Sequence, residues 1–260
     1  MFKHIRYIYL SGNFIQDISP LASCESLIYL SFDHNRLTLM KNFGIHENLQ
    51  VCDFSNNKIS ILDIQRHAML KNLNLDYNFL TSIDRDKDNS LPSLHKLTAR
   101  FCLISSVDNF GGLINLCYLN LASNQIKEMK FDIFEGLKNL VELDLSCNPL
   151  EKISLSGRIE VSIVDLNISK TNIKSHNTLT VLPLMGHLRI LNLSNTCLTA
   201  KQNLRLRVIK NVPKLVKLDQ IEITVEEREA SQSLLDEDEN EDEQAPPDNR
   251  EDEVEEDLDE

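Results

Sequence analysis

The side chains that could do chemistry are few and poorly placed for it. Seven histidines (His4, His34, His46, His67, His95, His176 and His187) could ligate a metal or move a proton. No two stand at the i, i+4 spacing that puts paired ligands on one helical face. Six cysteines, Cys24, Cys52, Cys102, Cys117, Cys147 and Cys197, include no C-x-x-C pair, so neither a zinc clamp nor a dithiol motif is expected. The chain has only seven glycines. It shows no Gly-rich phosphate cradle and no G-x-S-x-G, Walker or H-E-x-x-H pattern. Aspartates do align, but a fixed period along the chain produces that alignment. The expectation is no enzyme: no catalytic residue, no cofactor and no metal. Recognition chemistry remains, in Tyr7, Tyr9, Tyr29, Tyr77, Phe101 and Tyr118, with the cations Lys96 and Arg100 among them.

The period that spaces these residues is plainest in LVELDLSCNPL, residues 140–150. It reads L-x-x-L-x-L-x-x-N-x-L, the signature of a leucine-rich repeat. The same frame opens at Ile5, Leu27, Leu49, Leu70, Leu94, Leu116, Leu140, Ile163 and Leu188. Those eight steps average roughly 23 residues, inside the ~20–29 of this repeat class. A tenth, degenerate start lies at Leu215. The x-L-x-L core predicts a short strand, because alternate side chains point to opposite faces. One repeat cannot bury its leucines alone, so neighbours must stack and pair as a parallel sheet. The predicted fold is an α/β solenoid, a leucine-rich-repeat horseshoe with the sheet on its concave face. Asn13, Asn35, Asn57, Asn78, Asn124 and Asn148 occupy the ninth frame position. An amide there can both donate to and accept from backbone groups left over in the turn, so these form a predicted structural ladder. Cys102, Thr171 and Thr196 fill its other rungs.

Frame positions three, five, seven and eight should project onto the concave face. They place Tyr7, Tyr9, Tyr29, Tyr77, Phe101 and Tyr118 outward, where a merely solvated face needs no aromatics. Tyrosine is enriched at binding hot spots. The eight residues Tyr7, Tyr9, Tyr29, Tyr77, Lys96, Arg100, Phe101 and Tyr118 are thus the candidate protein-binding surface. Lys96 and Arg100 are expected to be available to an acidic group of the partner.

Charge divides the chain. Between residues 226 and 260 there are 19 acidic residues against Arg228 and Arg250, a net −17 in a chain of −13. Residues 1–225 therefore carry +4, and the low pI belongs to the end. So acidic a block cannot bury enough apolar surface to fold and is expected to be disordered. It suits a solubilising tail or a docking arm for a basic protein. Nothing in it favours nucleic acid, since no basic, aromatic-interleaved patch is present. There is no signal peptide and no apolar run of ~18 residues, so no membrane contact is expected. Unclustered cysteines fit a reducing intracellular compartment. The sequons at Asn167 and Asn192 fall inside predicted strands and read as coincidences of the frame.

The expected domains are nine repeats over 1–199, a C-terminal cap over 200–229 and an acidic disordered tail over 230–260. Between strands the short segments suit 3₁₀ turns or loops. FDIFEGLKNL, from Phe131, is the best candidate for a true short helix, and residues 85–92 should bulge outward. Leu204, Val208 and Val212 have helical spacing, ended by Pro213. The Thr224-x-x-Glu227 spacing predicts a capping box. At the other end, Ile5 opens a repeat after four residues, although solenoids need capped ends. An upstream segment or a partner is expected to cover that edge.

The repeat length, the asparagine ladder and the ending LVKLDQIEITVEERE resemble the phosphatase-regulator-like class of intracellular leucine-rich-repeat proteins. Within that class, IRYIYLSGNFIQDISPLASCESLIYLSFDHNRL is similar to the radial-spoke members found in cilia and flagella. That resemblance implies a non-enzymatic protein-protein interaction scaffold of the axoneme, cytoplasmic in the ciliary or flagellar compartment. Alternative expectations are a regulatory subunit of a serine/threonine phosphatase, or an acidic-tailed chaperone of basic proteins.

Overall fold

The computed structural model describes residues 2–84, 91–110, 113–155, 162–174, 176–200 and 203–234. The expected bulge over 85–92 falls largely outside these residues, as does the tail from residue 235. In chain order the strands are β1 (Tyr7–Tyr9), β2 (Tyr29–Ser31), β3 (Val51–Asp53), β4 (Asn72–Asn74), β5 (Ser82–Asp84), β6 (Lys96–Thr98), β7 (Ser106–Asn109) and β8 (Tyr118–Asn120). They continue as β9 (Glu128–Lys130), β10 (Glu142–Asp144), β11 (Lys152–Ser154), β12 (Asp165–Asn167), β13 (Ile190–Asn192), β14 (Lys217–Leu218) and β15 (Ile221–Glu222). Two helices close the described part, α1 (Leu204–Asn211) and α2 (Val225–Gln232).

Each frame core forms one three-residue strand. The main sheet runs β1-β2-β3-β4-β6-β8-β10-β12-β13-β14-β15, parallel until β15 turns back against β14. Its register is one to one: Tyr7, Tyr29, Val51, Asn72, Lys96, Tyr118, Glu142, Asp165, Ile190 and Lys217 stand in a single row. Inward, the apolar frame positions stack into continuous files, as with Leu27, Leu30, Phe32 and Leu37 of the second repeat, all buried. Each such side chain contributes about 1.5–3 kcal/mol by leaving water.

The opposite side holds what short apolar segments dictate, mostly 3₁₀ turns such as Ser19–Ser23 and Lys41–Phe43. Phe131–Phe134 is one of these, not the true helix expected there. Phe131 and Phe134 both need burial, and i, i+3 spacing eclipses them in a 3₁₀ turn. Two small parallel pairs, β5 with β7 and β9 with β11, were not expected from the pattern.

Helix α1 buries Leu204, Val208 and Ile209. The hairpin between β14 and β15 turns through Asp219 and Gln220, both at positive φ, the backbone of a type I′ turn. Thr224 caps α2 in a complete capping box: its hydroxyl accepts from the Glu227 N–H at 3.2 Å, and Glu227 accepts from the Thr224 N–H at 3.0 Å. Arg205 of α1 clamps Glu227 at 2.6 Å, holding its carboxyl down at about 2, helped by that Thr224 N–H. Helix α2 runs to Gln232, three residues beyond the expected cap boundary at 229.

Candidate functional site

The asparagine rungs are inter-repeat clamps. Asn57 Nδ2 donates to Phe32 O at 3.0 Å in the preceding repeat and to Phe54 O at 3.1 Å in its own, while its Oδ1 accepts the Leu37 N–H at 2.9 Å. Asn35, Asn78, Asn124 and Asn148 repeat that geometry. Asn13, in the first repeat, bonds among the described residues only to Leu10 O and Ser11 O. Cys102 substitutes with a thiol directed at Leu75 O, 3.4 Å away. Burial pushes that thiol up to about 11, so it stays a neutral donor.

A second ladder lies at position five, whose side chains turn back rather than outward. The side-chain oxygens of Asp53, Asn74, Asn120, Asp144, Asn167 and Asn192 each accept the N–H two residues on, at 2.9–3.1 Å. These are Asx turns, in which a side chain imitates a backbone acceptor. Position five is thereby structural in most repeats, with Tyr9 left as its exposed aromatic.

A third regularity is confined to the backbone. Position eight has φ between 53° and 68° in all nine repeats: Gly12, His34, Asn56, Tyr77, Phe101, Ser123, Cys147, Lys170 and Asn195. Glycine and asparagine adopt this region at little cost, whereas a bulky residue there is strained by roughly 1–2 kcal/mol.

The candidate binding residues fall into pairs. Tyr9 and Tyr29 meet at 5.1 Å between ring centroids, beside Tyr7 in the strand row. Lys96 Nζ sits 4.6 Å above the Tyr118 ring. Between Tyr29 and Tyr118 a hollow of about 370 Å³ opens over Val51, Asp53 and Asn72. Tyr77 and Phe101 stack nearly parallel, 4.5 Å apart and 4° from coplanar, each 46% exposed. These two follow the strands rather than lie in them, so they form a rim beside the sheet. Phe79 and Leu103, two residues further along the same repeats, are also exposed. Neither is among the binding residues expected from the sequence. Their signal was available: frame position ten carries a large apolar residue in these two adjacent repeats.

Arg100 does not stand available to a partner's acid. Its guanidinium grips Asp76 at 2.7 and 2.8 Å, and its N–H donates to the same carboxylate at 2.8 Å. The Asp76 side chain is only 5% exposed, and so buried a carboxylate must be paired. The Asp76 hydrogen bond in turn holds Arg100 above its ordinary value. Further along, Glu142 and Asp165 face each other directly across β10 and β12. Burial raises the Asp165 carboxyl above its ordinary value, and the neighbouring Glu142 and Asp144 charges add to the rise.

Two histidines meet in the core although 21 residues separate them. His46 and His67 stack at 5.8 Å, and His67 Nδ1 accepts the His46 N–H at 3.1 Å. Burial lowers the His46 value. Among the described residues no group of three His, Cys, Asp or Glu could hold a metal. No described helix is long and apolar enough to cross a membrane.

A parallel strand per repeat, asparagine clamps in most turns and a leucine core define a leucine-rich-repeat fold, and residues 92–150 match the family model described as leucine rich repeat. Over 86% of its length the chain is similar to human leucine-rich repeat-containing protein 23, at 30% identity and across 64% of that relative. Bovine lumican is 31% identical over 48% of this chain and 31% of its own length. The chain thus spans less than two thirds of these curated relatives. Among solved structures, a Drosophila melanogaster SNF/U2A′ complex contains a chain 24% identical, covering 50% of this chain and 74% of that one, with a TM-score of 0.47.

Proposed function

We propose that this protein is a non-enzymatic scaffold of the ciliary or flagellar axoneme that docks a partner protein on the concave face and its aromatic rim. The observation that carries the docking surface is the Tyr77–Phe101 pair. Two aromatic rings are half exposed and stacked at backbone positions where small or amide residues are cheapest. Strained residues of this kind cluster at binding sites, and aromatic anchors dominate interface energies. Likeness to leucine-rich repeat-containing protein 23 supports the ciliary placement, and a place in the radial spoke rests on the sequence resemblance alone. In this reading residues 1–199 are the repeats, the cap runs from 200 through α2, and the asparagine ladder is scaffold.

A triple variant, Tyr77→Ala with Phe101→Ala and Tyr118→Ala, tests the surface. It should stay folded, because the rings are largely outward, and lose the protein's principal partner in a pull-down from ciliated cells. Lys127→Ala with Lys130→Ala, on the opposite side, should retain that partner. The reverse pattern would place binding on the outer side. Tagged protein that stains cells diffusely with no ciliary signal would remove the axoneme from the proposal.

A further inference from the structure

We propose that the acidic residues 236–243 dock back onto a basic corner of this chain's own cap, formed by Arg189, Lys214 and Arg228 beside Lys210. Arg189 donates to Leu188 O at 2.8 Å and to Gly186 O at 3.4 Å, and Lys214 reaches the same Gly186 O at 3.3 Å. From α2, Arg228 donates to Pro213 O at 2.8 Å and to Leu215 O. The two turns are neighbours, because the Val216 and Lys217 N–H groups both donate to Arg189 O. Three cations from three segments therefore converge on carbonyl oxygens. No carboxylate pairs with any of them among the described residues. A carbonyl satisfies a donor but offers no net charge, so these three contacts leave the positive charge of the corner uncompensated.

The chain leaves the cap at this same corner. Lys210 Nζ donates to Leu234 O at 2.9 Å, tying the exit to α1. Two residues on, positions 236–243 hold seven carboxylates in eight residues. Arg228 lies six residues before Leu234, about 9 Å at the helical rise, and eight extended residues reach about 27 Å. The opposite charges thus begin close to one Debye length, about 8 Å at physiological salt. Tethering lifts their effective concentration to about the millimolar range, which compensates for the weakness of individual exposed pairs. The corner would then be shielded from other anions, and a basic protein that takes up the carboxylates would uncover it.

Carbodiimide treatment of the full chain tests this, since the reagent condenses a lysine amine with a touching carboxylate and eliminates water. At low salt, linkages from residues 236–243 to Lys210 and Lys214 should exceed those to the exposed Lys58, Lys127 and Lys152 by about fivefold or more, and vanish in about 0.5 M NaCl. Mixing labelled with unlabelled protein should show them to be intramolecular. Arg189→Gln should lower the yield. So should replacing Asp236, Glu237, Asp238 and Glu239 by their amides, a change that leaves the cap itself untouched. Equal yields at all exposed lysines, linkages only between molecules, or indifference to salt would overturn the proposal.

Discussion

Asn124→Ala should cost about 3 kcal/mol, and the figure follows from what the amide holds. Its Oδ1 accepts the Ile104 N–H at 3.1 Å, and its Nδ2 donates to Ala99 O at 2.8 Å and Leu121 O at 2.9 Å. Ile104 and Ala99 belong to the preceding repeat, so the amide joins two repeats as well as closing its own turn. Alanine strands a buried N–H and a buried carbonyl across that junction. Each such group costs about 1–3 kcal/mol, and a water entering the vacated volume recovers part of it. A domain of this size shifts by about 2–4 °C per kcal/mol, so the melting temperature should fall by roughly 6–12 °C. Urea unfolding of the full chain, followed by circular dichroism, measures the free energy directly. Asn13→Ala is the internal control, because Asn13 is exposed and bonds only within its own repeat. It should cost under about 0.5 kcal/mol, as ordinary surface substitutions do. Equal losses in the two variants, or none in Asn124→Ala, would show that the rung is not an inter-repeat clamp.

Three further outcomes are expected. The Arg205 hydrogen bond holds Glu227 at about 2 in the folded chain, below its ordinary 4.5, so its contribution is present above 4.5 and is lost as pH falls towards 2. Glu227→Gln should flatten that part of a urea-midpoint-versus-pH curve, and an unchanged slope would refute the clamp. Asp165 is shifted the other way by burial, then by Glu142 and Asp144, so its charge opposes folding at neutral pH; Asp165→Asn should raise the melting temperature, most at low salt, and a lower value would contradict this. In about 0.5 M NaCl, where the exposed charges are screened, cutting after Leu234 should leave the melt of the body unchanged, whereas cutting after Glu229 removes the last turn of α2 with its buried Ser231 and should lower it; identical melts would show that α2 adds nothing to the cap.

How much was legible beforehand depended on whether the cause was local. The strands and their inward phase could be read because a period-two pattern inside the frame admits only one buried face. The Thr224–Glu227 box could be read because both partners lie within one turn. The left-handed position eight could not, since glycine, histidine, asparagine, tyrosine, phenylalanine, serine, cysteine and lysine all occupy it; the common element is a φ angle, which leaves no mark on side-chain chemistry. The Arg100–Asp76 pair was equally hidden. Its partners are 24 residues apart, and only the register of neighbouring repeats joins them. The pairing of β5 with β7 was obscured for a similar reason, as strands of three and four residues outside the repeat frame carry too little alternation to detect.

The unbroken register from Tyr7 to Lys217 also makes the sheet a ruler with fixed graduations. Its marks are one strand apart, about 4.8 Å, while a helix laid along the row repeats every ~5.4 Å per turn. The two scales drift by about 0.6 Å per mark, so after roughly four strands a helix is half a graduation out of phase. A straight helical ligand can therefore match side chain to side chain over only about four consecutive repeats, however long the solenoid. Tyr77, Lys96, Phe101 and Tyr118 all fall within repeats four to six, inside one such window. A partner engaging both this window and the Tyr9–Tyr29 pair would have to bend, kink or present two separate segments.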